Sequence, residues 1–597
     1  MPELRQPPQR GNPTGPATQL HTEVVREFAG INTQSFRTVI KNNEFSWLEN
    51  VIPVGPGNLK IVQPKGPNFA TLSEVCYAFY WANLNGVDYV FAFSQTGIGY
   101  MVKLSAPYTI TQIGSVTFGL SGIFISQWKN DRILIADPAN GLWSWDGAVL
   151  CGNQQAVTID LSGSGDTGGS GYVVGDALAL PGGTGSGATA KVTAIGSGGS
   201  ITTAVITAGG SSLYTADYQS TVTGGSGTGA KLTVHVLLGP PNCSFISVYQ
   251  SRVWVAYQRT ISFSAPNAFY DFSGSSGGGS FIFYDPVLAG DVQQLIAANN
   301  FLYIYGSSSI NAISDVRLVG SPATTVFANT VLTSSIGSTF PSSLLPFFRY
   351  SIFMTPYGVF SLFGATPSKI SDGLDGIFES IDFTYNITAA VAVAYNSLMT
   401  LFMVRYTGTE SINGEGPLIL GYFAGKWLTF SQDTAMTAIF GAVISGVPTA
   451  YGTDGKNIYQ LFSGSGTTNI KVQTKLYDFG AKLATIRSMR FGLEASGFSA
   501  GASIDVEVET ENGSEQYTFN PSQIISWTNS SGDPIVWTNS VGSALDWYSS
   551  PSFGLVAQGS VSNSGKFLGA TITSSSYPFS INGIDFEVDF GPQWGNP

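Results

Sequence analysis

A hairpin-like cassette returns seven times along this chain: a β-rich run, a small polar turn and a second β-rich run. It reads VDYVFAFSQTGIGYMVKL at 87–104, DRILIADPANGLWSWD at 131–146 and SRVWVAYQRTISFSAP at 251–266. It continues as NNFLYIYGSSSINAIS at 299–314, RYSIFMTPYGVFSLFG at 349–364, ILGYFAGKWLTF at 419–430 and VPTAYGTDGKNIYQLF at 447–462. The flanks are rich in Val, Ile, Phe, Tyr and Trp, and the turns carry Gly, Pro, Asn, Asp or Ser, which is hairpin chemistry. The turns begin at Gln95, Pro138, Gln258, Gly306, Pro356, Ala424 and Gly452. Successive gaps of 43, 48 and 50 set the period, and gaps of 68 and 28 together span two periods of 48. A repeat of roughly 40–50 residues with several strands per unit predicts an all-β fold, a β-propeller of six or seven blades. The gap of 120 from Pro138 to Gln258 is too long for one blade and marks an insertion.

The insertion occupies 157–238. Its only aromatic side chains of the Phe, Tyr and Trp class are Tyr172, Tyr214 and Tyr218, and Gly, Ser, Thr and Ala dominate. It holds its own repeat, GGTGSGATAKVTAI at 182–195 and GGSGTGAKLTVHV at 224–236. The alternating runs KVTAI, TTAVIT and KLTVHV predict a small β-module with glycine turns rather than a linker. On either side lie the two propeller parts, 58–156 and 239–465. Residues 1–57 read as a Pro-rich arm followed by lead-in strands. From 466 to 597 the period breaks into longer alternating strands such as SIDVEVETENGSEQYTF and SINGIDFEVDF, which predict a C-terminal β-sandwich. Within it Trp527, Trp537 and Trp547 recur every ten residues, either anchoring successive hairpins or forming an exposed tip.

Composition narrows the function classes. Charged residues are 11% of the chain, against about 25% in ordinary globular proteins. Such a surface suits coverage by neighbouring subunits. The net charge is −12 and no basic run occurs, so tight gripping of nucleic acid is not expected. The three cysteines, Cys76, Cys151 and Cys243, are widely spaced and read as buried apolar residues, not as a disulfide scaffold or zinc site. The first twenty residues carry five prolines and no apolar core, unlike a signal peptide. No apolar run reaches the roughly 18 residues of a membrane span, so stable membrane insertion is not expected.

No catalytic set, cofactor site or metal site is expected. Gly497-Phe498-Ser499-Ala500-Gly501 matches G-x-S-x-G, but a strand pattern follows it, and His21 and His235 both precede the serine. Gly274–Gly278 matches as well, inside the low-complexity run SGSSGGGS. GYFAGKW at 421–427 lacks the spacing of a phosphate loop and has Trp427 where Ser or Thr would bind magnesium. Asp505, Glu507 and Glu509, like Asp585, Glu587 and Asp589, alternate on a strand face, the pattern of a solvated surface more than of a calcium site. The turn at Ser531–Trp537 lacks the glycine of a sialidase Asp-box, and Trp145-Asp146 is a single WD pair.

Several segments carry a family resemblance. FAGINTQSFRTVIKNNEFSWLENVIPVGPGNLKI, FISVYQSRVWVAYQRTISFSAPNAFYDF, YGVFSLFGATPSKISDGLDGIF and INGIDFEVDFGPQW resemble the tail nozzle proteins of short-tailed bacteriophages. These are also called tail tubular protein B or packaged-DNA stabilisation proteins. The resemblance implies a structural, non-enzymatic virion protein, assembled in the host cytoplasm into a homohexamer at the end of the tail. Its implied partners are an adaptor ring under the portal, tail fibres, and viral DNA that passes through a channel without specific binding. It identifies no gate residues. The alternative expectation is a receptor- or glycan-binding tail protein; a polysaccharide-degrading propeller enzyme lacks an identifiable acid/base pair.

Overall fold

The computed structural model describes residues 20–478 apart from 56, 285–287, 289 and 348, together with 486–496, 503–519, 527–528, 534–535, 537–538, 544–545, 555–561, 565–575 and 579–590. The fold is nearly all β, with helix confined to short turns such as Asp375–Phe378. Every one of the seven cassettes is an antiparallel hairpin, each in a different four-stranded unit. Six units run consecutively over 76–112, 124–151, 245–282, 294–333, 345–369 and 388–430. The seventh has three strands from 438–460, and its fourth is Asn68–Thr71, which pairs antiparallel with Asn457–Gln460.

Local chemistry explains these hairpins. Asn85 and Gly86, at φ 52° and 80°, give the two left-handed residues of the tight turn joining Cys76–Leu84 to Val87–Ser94. The same staple closes two cassettes far apart in sequence. Asn140 donates its backbone N–H and its side-chain amide to Asp137, at 3.2 and 2.9 Å. Asn457 makes both contacts to Asp454 at 2.7 Å. The uneven gaps of 68 and 28 also have a structural reason. In the sixth unit the tight turn at Ala424 joins the third and fourth strands, whereas the other cassettes join the second and third.

The insertion forms two sheets whose strand pairs all lie within 156–236. Each copy of its internal repeat supplies the hub strand of one sheet, Ala188–Ile195 in one and Thr228–Val236 in the other. Alternate residues Ala188, Ala190 and Val192, and Ala230, Leu232 and Val234, are buried, as a period of two requires. Their core is continuous with Leu134, Ala136 and Leu142 of the second unit and Val253, Val255 and Phe269 of the third unit and its loop. The module is therefore packed into the body of the protein at its base, not tethered beside it.

Both ends of the described chain build the remaining sheets. Phe45–Glu49 pairs antiparallel with Ile470–Thr474 and meets Lys426–Phe430 in parallel at Glu49 and Thr429. One sheet thus runs from the sixth unit through Phe45–Glu49 into Phe567–Ser574, Ile504–Thr510 and Gly513–Phe519. In a second sheet, Ser580–Phe590 pairs with Leu20–Val25, Leu59–Ile61 and Ile486–Ser496. The two share a core that includes Trp47, Val472, Val506, Ile572, Ile584 and Phe586. The lead-in strands consequently pair with strands from the other end of the sequence, a contact that local patterning does not signal.

Candidate functional site

The first strands of the seven units converge. Each packs beside the next in order, and the seventh, Ala438–Ile444, lies against the first, Cys76–Leu84. Segments 77–81, 124–127, 246–248, 294–297, 345–346, 388–389 and 438–441, one from each unit, line a single cavity of about 540 Å³. A second space of about 780 Å³ adjoins it and shares Tyr77, Tyr80, Phe124 and Asn386.

This site offers little to acid–base chemistry. No Asp, Glu, Lys, Arg or His lies among the described residues lining the smaller cavity. Its tyrosine hydroxyls are engaged as donors: Tyr80 to the Ile123 carbonyl at 2.6 Å and Tyr77 to that of Gly119 at 3.0 Å. Burial pushes both phenols upward, away from neutral pH. The larger space adds Arg405, whose guanidinium sits 4.8 Å from the Tyr385 ring centroid, and Cys76, whose thiol burial pushes up to about 12. The walls are suited to packing and to enclosing volume.

The residues singled out from sequence do not assemble there. His21 lies on Leu20–Val25 and His235 on Thr228–Val236, in different sheets. Gly274–Ser276 is a short 3-10 turn whose loop is tied down by the buried Arg252 and by Thr325, both donating to the Gly277 carbonyl. In GYFAGKW, Lys426 donates to the Phe28 carbonyl at 2.6 Å and Trp427 to that of Ile370 at 2.6 Å, so both serve packing. Glu509 pairs with Arg37, Asp505 accepts from Thr518, and Asp585 holds Arg26 through both carboxylate oxygens. Cys76, Cys151 and Cys243 are free and buried. Trp527–Thr528 pairs with Pro534–Ile535, and Trp537–Thr538 with Ala544–Leu545, in two short hairpins. The motif at Gly497–Gly501, Trp547, the turn core at 531–533 and residues 1–19 lie outside the described residues.

Two constellations escape sequence reading. Glu49, fully buried, accepts hydrogen bonds from Trp47, Ser411, Ile412 and Ser431. His235 lies between Asp160 and Asp217 in the inserted module. Their members are drawn from distant segments, so neither leaves a recognisable spacing in the sequence. No protein-family model matches this sequence, and no curated protein matches it either.

Proposed function

We propose that the seven units are the blades of a β-propeller, with the module inserted between the second and third blades and a β-sandwich formed by the two ends of the chain. The observation that carries this reading is the single cavity to which all seven first strands contribute. The strand Asn68–Thr71, completing the unit formed by 438–460, supplies the ring closure such a fold needs.

On this architecture we propose a structural role, a virion tail nozzle that assembles as a homohexamer around a channel for viral DNA. The segment resemblances carry the family assignment. Low charge and an uncharged, proton-inert cavity favour a wall over an enzyme. With a formal charge of −12 on each copy, an assembled ring repels phosphates, so DNA slides without adhering. A closed cyclic ring also uses uncharged surface for heterologous contacts between copies. Electron microscopy of the purified protein tests the role: sixfold rings with an axial hole are expected, and trimers or monomers would overturn it.

The receptor- or glycan-binding reading draws on one observation. Tyr350 and Phe363 form an exposed ring pair with centroids 4.9 Å apart, a platform on which a sugar ring could stack. Saturable glycan binding that is lost in Phe363→Ala would favour it.

A further inference from the structure

His235 ties three strands of the inserted module and a loop of the third unit to one imidazole ring. Its Nδ1 lies 2.6 Å from an Asp217 carboxylate oxygen, and its Nε2 lies 3.0 Å from one of Asp160. Asp160 ends the strand Ala156–Asp160, and Asp217 immediately precedes Tyr218–Thr221; both strands pair with the hub strand that carries His235. The ring stacks on Tyr270 at 4.4 Å between centroids. Tyr270 belongs to the segment joining Thr260–Phe263 to Gly279–Ile282, and its carbonyl accepts the Leu238 N–H at 2.9 Å. The second Asp217 oxygen accepts the Val236 N–H at 2.8 Å.

Ionised carboxylates only accept hydrogen bonds, and a neutral imidazole has only one N–H. Satisfying both contacts therefore requires the doubly protonated ring. We propose that His235 is a proton-operated clasp that fastens the base of the inserted module to the third unit. With the ring charged, Asp160 and Asp217 are both bound. When the proton leaves, one carboxylate faces a ring lone pair, releases, and takes up water.

The surrounding groups set the direction. Asp160 and Asp217 face the ring from the module, Asp166 is electrostatically coupled to Asp160, and Tyr270, itself coupled to Asp271, faces it from the third unit. Burial opposes the charge on His235, but the two carboxylates outweigh it and hold its pKa above the ordinary 6.5. The clasp is therefore complete below the ordinary imidazole value and is lost as pH rises through the raised folded value. Asp160 is held below its usual range, since the His235 and Ser162 hydrogen bonds outweigh its burial, and so remains charged throughout.

Hydrogen exchange of the intact protein, read by mass spectrometry from about pH 6 to about pH 9 and corrected for intrinsic rates, tests the clasp. Peptides covering 156–160, 217–221, 232–238 and 266–272 should lose protection severalfold across the titration, while 188–195 in the other module sheet stays unchanged. His235→Gln should abolish that pH dependence, and Asp217→Asn should move its midpoint to lower pH. Unchanged protection across the range, or the same loss in His235→Gln, would overturn the proposal. Should His235→Gln fail to fold, the direction of the Asp217→Asn midpoint decides it: unmoved or raised, the clasp is wrong.

Discussion

The Thr71 hydroxyl donates to the Asn457 side-chain oxygen at 2.8 Å across 386 residues of sequence, and their backbones are paired in register. Directly opposed antiparallel residues have Cα atoms about 4.5–5.5 Å apart, within the span a disulfide can bridge. The double variant T71C/N457C should therefore crosslink under mild oxidation, giving a 71–457 peptide by mass spectrometry. Closing so long a loop should also raise unfolding free energy by about 2–4 kcal/mol. Failure to crosslink would mean that Asn68–Thr71 does not complete the seventh unit.

The Asp137 and Asp454 staples should respond unequally to removal. Asp137 is fully buried and also accepts the buried Gly119 N–H at 2.9 Å, so Asp137→Ala strands that donor in addition to the turn N–H groups of Ala139 and Asn140. A loss of about 2–4 kcal/mol is expected, against about 1 kcal/mol for the more accessible Asp454→Ala. Denaturation midpoints of the two variants check the order. Burial opposes charge on Asp454, but hydrogen bonds from Asn457 and Lys456 outweigh it and lower its pKa. Its contribution is present above the ordinary carboxylate value and disappears as pH falls through the lowered one. The Asp454→Ala penalty should accordingly vanish in acid.

The cysteines should be silent in the native state. Burial pushes the thiols of Cys76, Cys151 and Cys243 up to about 12, leaving roughly one part in ten thousand as thiolate near pH 8. An aromatic disulfide reagent should label none of the three before unfolding and all three after it. Rapid native labelling at Cys151 would show that the seam between the second unit and the module, where Cys151 is packed, opens readily.

What the sequence makes legible is local. Alternation and turn chemistry reveal all seven hairpins because the strands they join are adjacent, and the excess spacing after Pro138 exposes the module. The pairing of Asn68–Thr71 with Asn457–Gln460, and of Phe45–Glu49 with Ile470–Thr474, leaves no such trace. Partners that distant are selected by tertiary packing rather than by neighbouring residues. The same holds for His235: Asp160 and Asp217 reach it through strand register, so their sequence separations of 75 and 18 carry no chemical pattern. Even the misleading spacing around Ala424 is a matter of turn placement, since the sixth unit puts its tight turn one hairpin later.

Glu49 is the point where those distant pairings meet. It opposes Thr429 on one side and Lys471 on the other, so it occupies the rung joining the sixth unit to the C-terminal strands. Its carboxylate accepts from the Trp47 indole at 2.7 Å, the Ser411 hydroxyl at 2.9 Å, the Ile412 N–H at 3.0 Å and the Ser431 hydroxyl. Glu49→Ala removes the acceptor of the buried Trp47 indole and Ser411 hydroxyl, and of the half-buried Ile412 N–H and Ser431 hydroxyl. The expected cost is at least about 3 kcal/mol, since each stranded buried donor costs about 1–3 kcal/mol and local relaxation recovers part. Glu49→Gln should fall between the two, keeping one acceptor oxygen while its amide group confronts donors. Denaturation at neutral pH measures the loss, and hydrogen exchange across 407–415 locates it. A penalty for Glu49→Ala below about 1 kcal/mol would mean that backbone pairing alone holds the rung and the buried carboxylate is incidental to it.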